Sequence, residues 1–118
     1  MEAMAKALQR AEEKPGNVDL VLLHGTATKQ NDLAEAKALA KLFSGTQRQP
    51  FSASLKRAAG HQLAGAAAMN AAVAALLLAG DAKSPLAIRA AENDALDPEI
   101  EALGLRPVTE TSDVPVLK

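Results

Sequence analysis

Apolar positions along the chain alternate between two rhythms. Met1, Met4, Ala5 and Leu8 recur at helical spacing within Met1 to Glu13, and Pro15-Gly16 stops that pattern. The next segment, VDLVLLH from Val18 to His24, is an almost unbroken apolar run. Such a run, without polar alternation, predicts a strand covered on both faces, as in a parallel sheet. From Asp32 to Phe43 the helical rhythm returns through Leu33, Ala36, Ala40 and Phe43, and Asp32 with Glu35 stands in the order of a capping box. A polar loop, Ser44 to Pro50, leads to a second strand, FSASLK, which ends at Lys56. The turn RAAG and an Ala-rich helix follow, with Gly80 as the left-handed stop. Pro85 to Ala90 is expected to form a third strand. Beyond Ala91 the pattern weakens, because Asp97-Pro98 and Gly104 interrupt it and VPVLK offers only an edge strand.

Strands alternating with helices predict an α/β layer in which ligand-facing groups gather at the carboxyl ends of the strands. The length of 118 residues and 48% hydrophobic content suit one domain with its own core. Its ordered part is expected over about residues 1–90, with a weaker tail over 91–118. The 13 basic residues are spread along a chain of formal net charge −1, which gives no electrostatic footprint for nucleic acid. No cysteine is present, so a disulfide, a thiolate metal site or a Cys nucleophile within these residues is excluded. No metal site and no cofactor is expected. Met1 to Arg10 is amphipathic and charged, unlike a signal peptide, so a cytoplasmic location is the default expectation. Gln62 to Gly80 carries no charge, but its Ala and Gly content and the central Asn70 predict a helix buried all round in protein rather than a membrane span.

His24 at one strand end, Lys56 at the next and His61 at the start of the long helix form a set with one chemistry. Two neutral imidazoles can each donate an N–H to a developing oxyanion, and a lysine beside them can fix their charge and orientation. Asp32 and Glu35 are explained by helix capping or by support of the site behind those residues. Thr26 and Thr28 suit backbone satisfaction in a loop. Gly25 and Gly60 allow close approach beside each histidine, or simply form turns.

HGTATKQNDLAEAKA (His24 to Ala38) followed by SLKRAAGHQLAGAA (Ser54 to Ala67) resembles the C-terminal half of β-ketoacyl-acyl-carrier-protein synthases, the condensing enzymes of fatty-acid and polyketide synthesis. That family carries an HGT-T-D-E block and then an S-x-K-x-x-x-G-H block leading into a small-residue helix. The resemblance extends over about Met1 to Ala90. It implies an α/β chain that is the C-terminal half of a thiolase-like fold, with layered helices and a mixed sheet. It also implies His24 and His61 as the active-site histidines, Lys56 as the active-site lysine, and Thr26, Asp32, Glu35, Gly60 and Asn70 as structural or supporting residues. The implied reaction is decarboxylative Claisen condensation of acyl and malonyl thioesters. The implied partners are acyl carrier protein thioesters, and an N-terminal ketosynthase half or partner subunit in a homo- or heterodimer.

Two positions depart from the family pattern. Asn70 stands where a glutamate usually contacts the lysine, and Ala59 stands where threonine commonly precedes Gly-His. The family's nucleophilic cysteine belongs to its N-terminal half, so the resemblance makes this chain one part of the enzyme, inactive by itself. A non-catalytic thiolase-like partner of the chain-length-factor type, and a free-standing α/β binding module, are the other readings.

Overall fold

The computed structural model describes residues 1–79 and 97–108. Helix α1 spans Glu2–Arg10, with Glu2 in its first turn, Arg10 in its last, and a Lys6–Glu2 pair at 2.6 Å on its surface. These charges oppose the helix dipole at both ends. The helix ends before the expected Glu13, and Pro15–Asn17 form a single tight turn. Strand β1, Leu20–Leu22, follows. Helix α2 is Lys29–Leu42 and strand β2 is Phe51–Ala53. A one-turn helix α3, Lys56–Ala59, and a tight turn at Leu63–Gly65 precede helix α4, Ala66–Leu78. The second described stretch holds helix α5, Pro98–Glu101, and strand β3, Arg106–Pro107.

The three strands lie in the order β1-β2-β3 and pair in parallel, Leu20 opposite Phe51 and Phe51 opposite Arg106. Every described strand pairing is therefore parallel, where a mixed sheet was expected. The β1–β2 ladder extends beyond the strands proper, with Phe51 N–H donating to Asp19 O at 2.8 Å and Leu23 N–H to Ala53 O at 2.7 Å. This extension carries the register up to His24. One face of the sheet buries Ala53, Leu55, Val73 of α4 and Val108, with Leu20, Leu22, Phe51, Met69 and Leu77 packed around them. Helix α2 buries Ala36 and Leu39, and Phe43 at its end is 2% exposed. These are the helix's periodic apolar positions, and the helix lies beside α5.

Several elements differ from expectation for identifiable reasons. β1 is only half-buried along Leu20–Leu22 rather than fully covered. α2 begins at Lys29, three residues before Asp32; its cap position, Thr28, makes no side-chain cap bond, and Asp32 N–H bonds the Thr28 carbonyl as an ordinary helix bond. The capping box is thus absent, because Glu35 is turned elsewhere. α4 is not buried all round: Val73 is its one buried residue, while Leu76 and Leu78 are 55% and 62% exposed. Among the described residues no helix is long and apolar enough to cross a membrane.

Asp97-Pro98, read from sequence as a break, instead starts a helix. Asp97 Oδ1 accepts the Glu99 N–H at 2.9 Å and Pro98 occupies the first helical turn, where its missing N–H costs nothing. The third described strand consequently lies at Arg106–Pro107, and the Arg106 guanidinium sits 4.1 Å from the Phe51 ring centroid. The expected strand at Pro85 to Ala90 and the VPVLK edge lie outside the described residues.

Candidate functional site

β1 ends with backbone N–H groups that the ladder cannot satisfy, and Glu35 of α2 takes them. Its Oε1 accepts the His24 N–H at 2.8 Å and its Oε2 accepts the Gly25 N–H at 2.9 Å. One carboxylate thereby fixes two consecutive peptide units in a charge-assisted clamp. The chain turns sharply at Gly25, with φ +42°, and a Cβ there would lie 2.7 Å from both Cβ and Oγ of Ser54. Glycine is required by this approach of the two loops and by the backbone angle.

Ser54, just past β2, meets that turn from the other side. Its hydroxyl donates to the Gly25 carbonyl at 3.2 Å and accepts the Lys56 N–H at 3.4 Å. Lys56 is the first residue of α3 rather than the end of a strand. Its ammonium donates to the His24 carbonyl and lies 3.4 Å from His24 Nδ1. An ammonium has only donors, so in this contact Nδ1 is the acceptor, an arrangement that suits the His24 tautomer with its proton on Nε2.

His61 lies in the loop between α3 and the Leu63–Gly65 turn, not in the first turn of the long helix, which begins at Ala66. Its Nδ1 accepts the Leu63 N–H at 3.0 Å, which again leaves the proton on Nε2. Gly60, with φ +73°, and Leu63, with φ +48°, turn the backbone on either side of it. The His24 and His61 rings stand edge to face, centroids 5.7 Å apart and planes at 85°. Both side chains are exposed, and Lys56 is half-buried between the loops. The structure thus brings His24, Lys56 and His61 together from three separate segments.

A cavity of about 560 Å³ adjoins this cluster. Lys56, His61, Glu35 and Ser54 border it, and Leu39, Ile100 and Val108 supply apolar wall. Thr26 and Asp32 also border it; Thr26 shares a 3.0 Å hydroxyl contact with Thr28, and Asp32 accepts the Asn31 amide at 3.2 Å. Asn70 does not meet the lysine. Its amide donates to the Leu22 carbonyl at 3.4 Å, tying α4 to the end of β1.

Sequence reasoning missed Ser54, although a serine two residues before a backbone N–H it can bond is a recognisable turn signal. It also left the job of Glu35 open, since a clamp across eleven residues has no local signature. Among the described residues no group of three or more His, Cys, Asp or Glu is placed to hold a metal ion.

The family model described as beta-ketoacyl synthase, C-terminal domain, matches residues 1–87. The chain is 39% identical over 75 residues to a Streptomyces rimosus protein whose name describes an oxytetracycline polyketide beta-ketoacyl synthase 1, covering 64% of this chain and 18% of that protein. It is 38% identical over 87 residues to a protein of Streptomyces virginiae named as a polyketide beta-ketoacyl synthase 1, covering 73% of this chain and 20% of the relative. The chain therefore spans about a fifth of the length of these relatives. No solved structure matches it significantly.

Proposed function

The chain belongs to the β-ketoacyl synthase C-terminal domain family, with that family's thiolase-like α/β fold, and from this premise we propose that it supplies the His24, Lys56 and His61 side of a condensing site. The reaction is decarboxylative Claisen condensation of an acyl and a malonyl thioester delivered on an acyl carrier protein, in polyketide or fatty-acid synthesis. The observation that carries this reading is the edge-to-face pairing of the His24 and His61 rings, with centroids 5.7 Å apart, beside one lysine.

In this reading the malonyl thioester oxygen accepts from His24 Nε2 and His61 Nε2. This requires both Nε2 atoms to stand about 2.9 Å from one oxygen. The bond from the malonyl α-carbon to its carboxylate breaks, carbon dioxide leaves, and the electron pair moves into an enolate whose negative charge rests on the held oxygen. Donors fixed before the reaction stabilise that charge without reorganising. Lys56 sets the His24 tautomer and adds positive charge beside the pair. The enolate carbon then attacks an acyl thioester on a cysteine outside these residues, expelling the thiolate. The apolar wall beside His61 suits an aliphatic substrate portion.

No cysteinyl acyl-enzyme can form on these 118 residues, which contain no cysteine. An N-terminal ketosynthase portion, on the same polypeptide or on a partner subunit in a homo- or heterodimer, completes the site. Residues 1–118 act within it as a single C-terminal domain in the cytoplasm. The isolated chain should show negligible malonyl-thioester decarboxylation, and an added N-terminal portion should restore it. Restored turnover should fall when His24 or His61 becomes Ala; robust turnover by the chain alone, indifferent to both substitutions, would overturn the assignment.

The orientation of Asn70 favours a second reading, a non-catalytic partner subunit of the chain-length-factor type. Asn70 reaches Leu22 O instead of Lys56, leaving the lysine without support from that side chain. The residue at the nucleophile position of the N-terminal portion separates the two readings: cysteine supports the enzyme, and any other residue supports the partner.

A further inference from the structure

The two loops that carry the site touch through one small side chain. Ser54 Oγ stands 3.2 Å from Gly25 O and 3.4 Å from Lys56 N, so a single hydroxyl joins the Gly25 carbonyl to the backbone N–H of the lysine. The approach is tight: a Cβ on Gly25 would lie 2.7 Å from both Cβ and Oγ of Ser54. Lys56 in turn reaches His24 twice, at its carbonyl and at Nδ1. His61 is held differently, by the Leu63 N–H within its own loop.

We propose that Ser54 is a positioning residue that acts through Lys56: by tying the lysine's backbone to the Gly25 turn, it keeps the ammonium at His24 Nδ1 and so keeps the His24 proton on Nε2. The inference rests on the proposed role of His24, but it concerns a tautomer that exists with or without activity. Serine is suited to this place because its hydroxyl donates and accepts at once, and because its side chain is short enough for the loops to meet over Gly25. Alanine would leave the Lys56 N–H and the Gly25 carbonyl without this partner, and the lysine would be free to swing away. His61 would be unaffected.

The test uses the full chain with nitrogen-15 in its histidines and long-range proton–nitrogen spectra in mildly alkaline buffer, where imidazoles are neutral. Each ring's tautomer is read separately. In the unaltered protein both rings should carry the proton on Nε2. Ser54→Ala should lower the Nε2–H to Nδ1–H ratio of His24 by about three- to tenfold, the change that losing one ordinary hydrogen bond brings, with His61 unchanged. Lys56→Met should produce the same shift with Ser54 intact, and combining it with Ser54→Ala should add little further, because the serine works through the lysine. Ser54→Thr, which keeps a hydroxyl, should retain most of the original ratio.

An unchanged His24 ratio in a folded Ser54→Ala protein would overturn the proposal, as would additive effects of the two substitutions. Loss of the fold in both Ser54→Ala and Ser54→Thr would overturn it too, since the hydroxyl would then hold the domain rather than the lysine. None of these readouts measures turnover, so failure here is distinguishable from failure of the condensing-site assignment.

Discussion

Glu35→Gln tests the framework that holds the first histidine. In the folded chain the carboxylate accepts the His24 N–H at 2.8 Å and the Gly25 N–H at 2.9 Å, one through each oxygen. Glutamine has nearly the same shape but only one acceptor oxygen, so its NH₂ group must face one of two N–H donors. A hydrogen bond to a charged group contributes about 1.5–3 kcal/mol, and an orphaned buried N–H costs about 1–3 kcal/mol. The His24 end is exposed and water can replace part of the loss, which places the cost at about 1–3 kcal/mol. For a domain whose whole stability is about 5–15 kcal/mol this is a readily measured fraction. Urea unfolding should show a lower midpoint with an unchanged slope, and amide exchange should accelerate at His24 and Gly25 well before it does in β2. A Glu35→Gln protein with an unchanged midpoint and unchanged exchange at both amides would refute the clamp.

The other expectations follow from packing at particular positions. Gly25→Ala combines a φ of +42° with a Cβ 2.7 Å from Ser54 and should destabilise the chain by about 1–3 kcal/mol in urea unfolding. Leu39→Ala, at a residue only 2% exposed, should cost about 2–5 kcal/mol, whereas the same change at the exposed Leu76 should cost much less. The apolar exposure of α4 should make the isolated chain self-associate; sedimentation velocity should show that replacing Leu76 and Leu78 with lysine reduces association without loss of helix signal.

The apolar rhythm made the βαβ core legible. The VDLVLL run places β1, the spacing of Ala36 and Phe43 places α2, and both strands carry their site loops at the carboxyl ends. What the rhythm could not convey was burial set by other parts of the fold. α4 has the same Ala-rich composition whether it is enclosed or, as here, covered along one face only. The local partners of polar side chains were also ambiguous. Asp32 and Glu35 read equally as a capping pair until the structure shows the Glu35 carboxylate turned back to the strand end. Asp97-Pro98 carries the start signal of a helix as clearly as a break, and only the Asp97–Glu99 bond decides between them.

His24, Lys56 and His61 could be singled out because two short motifs isolate them in the sequence. Their mutual geometry could not be read there, since it depends on a serine and a glycine meeting from two loops. His61 joins the cluster from a loop for a separate reason. A helical first turn was expected to carry it, but the chain needs Gly60 and a left-handed Leu63 to bring it beside His24.

The central claim is that His24 and His61 act together on one oxygen, and a double-mutant cycle on malonyl-thioester decarboxylation tests it most directly. The measurement uses this chain completed by an N-terminal ketosynthase portion, and compares His24→Ala, His61→Ala and the double variant. Loss of one oxyanion donor lowers turnover about 10²–10³-fold, and donors that work as a unit are strongly non-additive. Each single variant should therefore lose about that factor, and the double variant should fall little below the worse single one. Losses that multiply as independent factors, or turnover untouched by either substitution, would contradict the account.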